Sequence, residues 1–210
     1  MISLLYVFRQ ITRARKILAI LLRFENAILE NEAGLYIVKS TVLPGTVDKL
    51  KAETGKRIVF SPEYYGITKF AKNYTYEFTT IGGERDDCNE VVQLLQNVYD
   101  CRHKFYVVTS KEAELIKYMN NSFLANKVSF CVQFWEIAQK IGADYEMVRE
   151  GFLLDPRTNP SHTFVFDDHP YWTSHCFDKD VRAIAETFDA KYLLNLVDYN
   201  EEMKKKSEKK

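Results

Sequence analysis

The chain has 210 residues, of which 46% are hydrophobic and 28% are charged. This composition is that of a globular protein with a sizeable core, and it excludes a largely disordered chain. Basic and acidic residues balance at 29 each, so bulk charge gives no reason to expect a nucleic-acid partner, and we expect none.

The four cysteines are Cys88, Cys101, Cys131 and Cys176, and no two of them have the C-x-x-C spacing of zinc ribbons and thioredoxins. Free thiols are typical of a reducing compartment, so we expect a cytoplasmic protein. Histidines in the loop before Cys176 fit no common zinc spacing, and we expect no metal site.

The N-terminal segment, Met1 to Asn31, is apolar but interrupted by five basic residues up to Arg23. Its longest uninterrupted apolar run, Ile17 to Leu22, is far shorter than the roughly 20 residues that a membrane helix needs. We expect no membrane partner, and we predict an amphipathic helix here. An Arg-rich, acid-poor start also resembles a transit peptide, which is the alternative.

Strand and helix patterns alternate from residue 35 to residue 108. Buried apolar runs predict strands and an amphipathic period predicts the second helix, while Pro44 suits the start of the first. This alternation predicts an α/β fold with a parallel sheet. The predicted strands are Leu35–Ser40, Arg57–Ser61, Thr79–Gly83 and Phe105–Val108, and the predicted helices are Thr46–Glu53 and Asp86–Val98.

A long helix is predicted from the capping box of Thr109 and Glu112 to Ile141, before Gly142. A helix of this length, ~45 Å, commonly joins two domains or forms a dimer surface. Further helices and a loop follow. They are a helix capped by Asp144 that runs through Gly151, a polar loop over Asp155–His175, helices over Asp180–Phe188 and Lys191–Met203, and a solvated tail over Lys204–Lys210.

The segment around Cys176 combines a thiol with Lys179 and with Asp180, four residues further on. Covalent catalysis uses a thiolate, and a nearby cation favours the thiolate over the thiol. By itself this motif fits an inert, buried cysteine equally well.

Four other segments of the chain match family patterns in the same order and spacing as that motif. Together the five segments resemble the UDP-glucose/GDP-mannose dehydrogenase family, whose patterns are S-T-x-x-P-G-T, P-E-F, K-x-x-x-N, D-x-R and G-G-x-C-x-x-K-D. The resemblance extends from about Leu35 to Met203. The matching segments are Ser40–Thr46, Pro62–Tyr64, Lys117–Asn121, Asp155–Arg157 and Cys176–Asp180.

The resemblance implies a fold and an activity. It implies a partial NAD-binding Rossmann-like domain over residues 1–108 and a central helical domain over 109–203, with homodimerisation through the 110–141 helix. The family oxidises the primary alcohol of a nucleotide sugar to a carboxylate and reduces two NAD. UDP-glucose is the substrate that we expect here.

The resemblance also assigns catalytic roles. Cys176 matches the nucleophile that forms a thiohemiacetal and then a thioester. Lys117 and Asn121 match the groups that stabilise the developing oxyanion, for which a cation and an amide donor are suitable. Glu63 matches the general base of thioester hydrolysis.

Further matched residues complete the expected site. Asp180 and Thr41 match groups that position or activate water. The expected substrate-binding residues are Glu63, Lys117, Asn121 and Arg157, and the expected cofactor-binding residues are Thr41 and Lys179.

The chain departs from the family at several positions. Thr173 and Ser174 replace the two glycines before the cysteine, and Ile67 replaces a second glutamate. No G-x-G-x-x-G turn is present, and Gly34 is the first glycine. A truncated gene product, one piece of a split enzyme and a degenerate relative are all consistent with this. The alternative function is therefore a catalytically inactive relative that acts as a dimerising or partner-binding module.

Overall fold

The computed structural model describes residues 2–5, 26, 28–30, 32–64, 77–173 and 175–209. The chain divides into two compact units, Met1–Lys117 and Tyr118–Lys210. The boundary lies within one continuous helix, and each unit is described separately below. Most of the predicted N-terminal helix over Met1–Asn31, and Ile67, lie outside the described residues.

The first unit contains a five-stranded sheet with the order β1-β2-β3-β4-β5. The pairs β1–β2, β2–β3 and β4–β5 are parallel, whereas β3 and β4 are antiparallel and pair through Phe60 and Gly82. The strands are β1 (Ile2–Leu5), β2 (Leu35–Val38), β3 (Ile58–Phe60), β4 (Phe78–Gly82) and β5 (Lys104–Val108), and the helices are α1 (Thr46–Thr54) and α2 (Arg85–Gln96).

The predicted α/β fold class is confirmed, but the sheet is not wholly parallel. Parallel neighbours need a long crossover that is usually helical. Helices were predicted between the strands now seen as β2 and β3 and between β4 and β5, and none was predicted between β3 and β4. The single antiparallel pair lies where no crossover helix was predicted.

The N-terminal prediction is wrong at residues 2–5, where the structure has strand β1 and not a helix. Ile2 is in register with Leu35, and Leu5 with Val38. An unpaired strand edge leaves backbone N–H and C=O groups without partners, so pairing with β2 outweighs the local helical pattern.

Side chains from both faces of the sheet form two apolar clusters. On one face Val38 and Phe60 pack with α1 and with Ala113, and on the other Ile37 and Val59 pack against α2. The alternation of neighbouring residues between clusters is the period of two that a strand imposes. Helices therefore cover both faces, as buried parallel strands require.

A close approach joins β4 to the next helix, α3 (Ser110–Ile141). A Cβ atom placed on Gly82 would lie 2.4 Å from the Cβ of Ala113 and 2.8 Å from the carbonyl oxygen of Thr109. Only glycine allows this separation. The predicted capping box is confirmed, because Thr109 N donates to Glu112 Oε2 at 2.8 Å and Glu112 N donates to Thr109 Oγ1 at 3.3 Å.

The second unit is helical and consists of the later part of α3 with α4 (Tyr145–Phe152), α5 (His175–Thr187) and α6 (Lys191–Ser207). Its core joins α3, α5 and α6 around the buried Trp172. Asp144 caps α4 as predicted, since its carboxylate accepts from Glu146 N at 2.8 Å.

Two helix boundaries differ from the sequence prediction. Helix α5 begins at His175 and not at Asp180, and an acidic residue in its first turn, Asp178, suits the positive end of a helix. Helix α6 continues to Ser207, into the predicted tail, and its last turn carries three lysines that suit its negative end. Within the described ranges, no helix is long and apolar enough to cross a membrane.

Candidate catalytic site

Cys176 lies in the first turn of α5 and is partly buried. Asp180, one helical turn later, is only 1% exposed. The sequence prediction placed both residues in or just after a loop. The helix instead fixes their spacing at one turn, so that the thiol and the carboxylate extend from one side of α5.

The carboxylate of Asp180 has two partners in the second unit. Its Oδ2 accepts a hydrogen bond from Asn121 Nδ2 at 2.6 Å, and Lys179 Nζ lies 2.7 Å from Oδ1. The lysine contact is an ion pair without hydrogen-bond geometry, and among the described residues Oδ1 has no hydrogen-bond donor. Burial of a charge is costly unless it is paired. These two contacts therefore compensate the buried carboxylate and hold Asn121 in place.

Trp172 anchors the chain just before Cys176, and sequence reasoning missed it. Its backbone N–H donates to Asn200 Oδ1 at 2.8 Å, and its carbonyl accepts from Asn200 Nδ2 at 3.0 Å. Its indole Nε1 donates to Ser129 Oγ at 2.9 Å. A tryptophan in an otherwise polar loop was the available signal, because a buried indole needs both packing and an acceptor. The anchor fixes the entry to α5.

In the first unit, Glu63 follows β3 and pairs with Lys39, which follows the neighbouring strand β2. Lys39 Nζ lies 2.9 Å from Glu63 Oε1 and 3.2 Å from Ser61 Oγ. The carboxyl ends of adjacent parallel strands meet at one edge of a sheet, which is where α/β proteins commonly bind ligands. Sequence reasoning missed Lys39, although a lysine directly after a buried strand was a visible signal. The pair also lines a shallow pocket with Tyr64 and His103.

Lys117 lies on α3 and is 7% exposed. Its ammonium group lies 4.8 Å from the centroid of the Tyr64 ring, which is within the range of a cation–π interaction. The hydroxyl of Tyr64 is 3.1 Å from Thr80 Oγ1, and burial raises the pKa of Tyr64. The tyrosine is thus fixed at both its ring and its hydroxyl, and it provides a defined face for the lysine.

Glu114, one turn before Lys117, is a third residue that sequence reasoning missed. It is fully buried, and its carboxylate accepts from Gly45 N at 2.5 Å and from Val47 N at 2.9 Å. Burial raises its pKa to about 7, against the opposing effect of the two backbone donors. An acidic residue next to Ala113 on a core-facing helix was the only signal in the sequence.

The structure places the other predicted site residues in less constrained surroundings. Thr41 is partly buried in the loop between β2 and α1. The guanidinium of Arg157 pairs with the carboxylate of Asp155 at 2.6 Å, and 88% of the arginine side chain is exposed. Lys179 is the partner of Asp180 described above. The structure therefore groups Asn121, Lys179 and Asp180 in one unit, and it groups Glu63 and Lys117 around Tyr64 in the other.

Among the residues that the structure describes, no three His, Cys, Asp or Glu side chains are grouped so that they could hold a metal ion.

This chain has an α/β unit joined by a long helix to a helical unit, and solved structures of nucleotide-sugar dehydrogenases are similar to it. A UDP-glucose dehydrogenase from Pyrobaculum islandicum is 26% identical, with a TM-score of 0.69, and the match covers 88% of this chain and 46% of that one. A UDP-D-ManNAc dehydrogenase from Pyrococcus horikoshii shares the fold, with a TM-score of 0.75, 23% identity, and coverage of 89% and 46%. The Rossmann-like fold class is thereby confirmed.

Residues 111–205 match the sequence profile of the UDP-glucose/GDP-mannose dehydrogenase family, central domain. A UDP-glucose 6-dehydrogenase from Rickettsia prowazekii is 28% identical over 163 residues, which is 73% of this chain and 36% of that protein. A GDP-mannose 6-dehydrogenase from Pseudomonas aeruginosa is 29% identical over 167 residues, 74% of this chain and 38% of that protein. The resemblance that the five motifs indicated is confirmed, and the chain matches little more than a third of the length of these relatives.

Proposed function

We propose that the chain provides the thioester chemistry of a nucleotide-sugar dehydrogenase that converts UDP-glucose to UDP-glucuronate. The observation that carries the proposal is the buried hydrogen bond between Asn121 and Asp180, one helical turn from Cys176. This hydrogen bond joins an amide donor on α3 to a buried carboxylate one turn along α5 from the thiol, and it thereby supports the proposal.

NAD is the hydride acceptor that the resemblance implies, and the described residues fit it poorly. The pyrophosphate of a dinucleotide is typically bound at a helix N-terminus that follows a parallel strand. Helix α1 follows β2 in this way, but the N–H groups of Gly45 and Val47 at its start already donate to Glu114. We therefore assign no step to a cofactor held by this part of the chain.

The steps that we assign to the chain begin at Cys176. Its thiolate attacks the C6 aldehyde of the oxidised sugar, a C–S bond forms, and the carbonyl π pair moves to oxygen, which takes a proton to give a thiohemiacetal. Lys117 and Asn121 stabilise the negative charge on that oxygen, since donors fixed in place before the reaction lose little free energy in reorganising. Asn121 is oriented for this role because one of its N–H groups donates to Asp180.

Hydrolysis is the second step that we assign to the chain, and it starts from a thioester of the sugar on Cys176. Glu63 accepts a proton from water, the resulting hydroxide attacks the thioester carbonyl, and the C–S bond breaks. The products are the sugar carboxylate and the Cys176 thiolate. Following the resemblance, Asp180 and Thr41 position water and Arg157 binds substrate, whereas Lys179 is paired with Asp180.

The chemistry is tested with the aldehyde, because that step needs no oxidant. The full chain is incubated with the 6-aldehyde of UDP-glucose and analysed by native mass spectrometry, and the chain in buffer without the aldehyde serves as the blank. We expect an adduct of one sugar nucleotide that is absent from Cys176→Ser and present in Cys101→Ser, the exposed cysteine of the first unit. An adduct that persists in Cys176→Ser contradicts the assignment.

Turnover is tested separately. NADH absorbance is followed with NAD and UDP-glucose, GDP-mannose or a UDP-N-acetyl sugar, and a full-length relative serves as the positive control. Formation of NADH that requires Cys176 supports the whole proposal. No NADH with any of these sugars, under conditions where the relative works, removes independent activity.

An exposed apolar row on α3 supports a second proposal, a homodimer through the 110–141 helix. Met119, Phe123, Phe130, Phe134 and Ile141 are between 44% and 74% exposed. Their separations of four and seven residues place them along one face of the helix. Such a contiguous apolar surface is unusual on a monomer. A second copy of this helix offers an identical face, as a two-fold interface requires.

The dimer is tested by light scattering after size exclusion. We expect a dimer for the wild type and a monomer for Phe130→Glu/Phe134→Glu, with Leu154→Glu, an exposed residue beyond α4, as the matched control. A wild-type monomer at high concentration contradicts the dimer. A dimer without any aldehyde adduct favours the inactive, dimerising relative over the enzyme.

A further inference from the structure

One carboxylate joins two elements of the first unit that are far apart in sequence. Glu114 on α3 accepts from Gly45 N and Val47 N, which lie 69 and 67 residues earlier in the chain. The residue is 0% exposed. Hydrogen bonds from backbone N–H to a carboxylate are among the stronger kind, and water cannot compete here.

The start of α1 needs this external partner. The first N–H groups of a helix have no partner within the helix, and a side chain at the N-cap normally accepts from one of them. The N-cap is Gly45, which has φ of 95° and no side chain to do so. Glu114 takes that place. Lys111, one turn earlier on α3, adds a weaker link, with Nζ 3.5 Å from Asp48 Oδ2 at the surface.

We propose that Glu114 is a positioning residue, which fixes the loop that carries Thr41 to the turn of α3 that carries Lys117. The inference rests on the proposed function, in which both of those residues act. Gly45 follows Thr41 by four residues in the same loop, and Glu114 precedes Lys117 by three residues, on the same side of the helix. A single buried carboxylate thus determines the separation between a water-positioning residue and an oxyanion-stabilising residue.

The protonation state of Glu114 affects its two hydrogen bonds with Gly45 N and Val47 N. A protonated carboxyl retains one acceptor oxygen and gains an O–H donor, which one of the two backbone N–H groups would face. Burial and Asp48 favour the protonated form, whereas the two N–H donors and Lys111 favour the carboxylate. Both backbone N–H groups therefore donate to the carboxyl group of Glu114 only when it is ionised.

The experiment compares Glu114→Gln with Glu112→Gln in the full chain. Glu112 is the exposed capping-box residue on the same helix, and glutamine is accepted at that position. Amide hydrogen exchange of Gly45, Val47 and Leu50 is measured by NMR, and kcat and KM are measured in the NADH assay. We expect exchange at Gly45 and Val47 to be about tenfold faster or more in Glu114→Gln, which corresponds to loss of a hydrogen bond to a charged group. Exchange at Leu50 stays unchanged.

The kinetic expectation separates positioning from folding. We expect kcat to fall roughly a hundredfold in Glu114→Gln, as for a small displacement of reacting groups, with KM changed by less than about threefold. Glu112→Gln changes neither quantity. If Gly45 and Val47 exchange in Glu114→Gln as slowly as in the wild type, the two hydrogen bonds of Glu114 do not protect them and the proposal is overturned. Faster exchange that includes Leu50 also overturns it, since that reports unfolding of α1. Faster exchange with unchanged kcat overturns the positioning role. If the wild type shows no turnover, the proposed function fails, and the exchange rates still show whether the hydrogen bonds of Glu114 fix Gly45 and Val47.

Discussion

The two units each contain a fully buried carboxylate, and the two are compensated differently. In the second unit Asp180 has an ammonium group 2.7 Å away and a side-chain amide at 2.6 Å. Among the described residues of the first unit, Glu114 accepts only from two backbone N–H groups, and the pKa of its carboxyl rises to about 7. A buried carboxylate is thus compensated in one unit by a cation and a side-chain amide, and in the other by backbone dipoles.

The comparison is tested most strongly at Asp180. Asp180→Ala leaves the buried amide of Asn121 without its acceptor and Lys179 without its counter-charge. We expect the free energy of unfolding of the second unit to fall by about 3–5 kcal/mol, the usual result of breaking a buried pair. Urea unfolding followed by tryptophan fluorescence measures it, because both tryptophans lie in that unit. The matched control is Asp198→Ala, at an exposed position on α6; equal effects of the two changes would contradict the role of Asp180.

Glu114 is tested through the pH dependence of stability. The pKa of its carboxyl is about 7 in the folded chain and 4.5 as the reference value. Because the folded value is the higher one, its stabilising contribution is complete below about pH 4.5 and is lost as the pH rises through about 7. We expect the stability of the wild type, relative to Glu114→Gln, to fall by on the order of 3 kcal/mol across that window. Urea unfolding followed by circular dichroism at several pH values measures the difference.

Asp48 and Lys111, which also face Glu114, are present in both proteins, so their titration cancels in that comparison. A difference between the two proteins that stays constant with pH would show that Glu114 is ionised throughout, which would contradict the raised pKa of its carboxyl.

The anchor before Cys176 should have a smaller effect. Trp172→Phe keeps an aromatic ring in the core but removes the donor to Ser129. We expect a loss of about 1–3 kcal/mol, from the lost hydrogen bond and the unfilled space. Trp135→Phe, which removes a hydrogen bond to Asp167 at the surface, should cost less than half as much. Urea unfolding followed by circular dichroism ranks the two, and a reversed order would count against the anchor.

The smallest effect on stability is expected at Arg157. Its pairing with Asp155 is a surface contact, and solvent-exposed ion pairs contribute little to stability. Arg157→Ala should therefore leave unfolding nearly unchanged. If the substrate-binding role holds, the same variant raises KM for the sugar nucleotide in the NADH assay. A change in stability without a change in KM would show that Arg157 has a structural role and does not bind substrate.

Local signals in the sequence predicted the elements well where caps and periodicity were present. The capping box at Thr109 and the cap at Asp144 defined helix starts to within a residue, since each cap involves neighbours only. The contacts of Glu114 and Trp172 could not be predicted in this way. Their partners lie 28 to 69 residues away, and no local pattern encodes which distant N–H or amide a buried side chain will meet.

The sequence allowed the residues of the candidate site to be predicted, but not the contacts between them. The pairing of Asn121 with Asp180 joins two helices, and the sequence identified both residues without indicating that they touch. Strand β1 was missed because its partner, β2, is some 30 residues further along. The start of α5 was missed because a polar loop preceded it, although its acidic first turn was visible.

The contact between Gly82 and Ala113 has an evolutionary consequence. The distance between β4 and α3 is set by the absence of a side chain, so any replacement of Gly82 must displace the helix that carries Glu114 and Lys117. Drift at this position cannot be absorbed by a change of rotamer in a neighbour, because the obstacle is a Cβ atom and a backbone carbonyl. A relative with a larger residue at this position must therefore hold the helix that carries Lys117 further from β4.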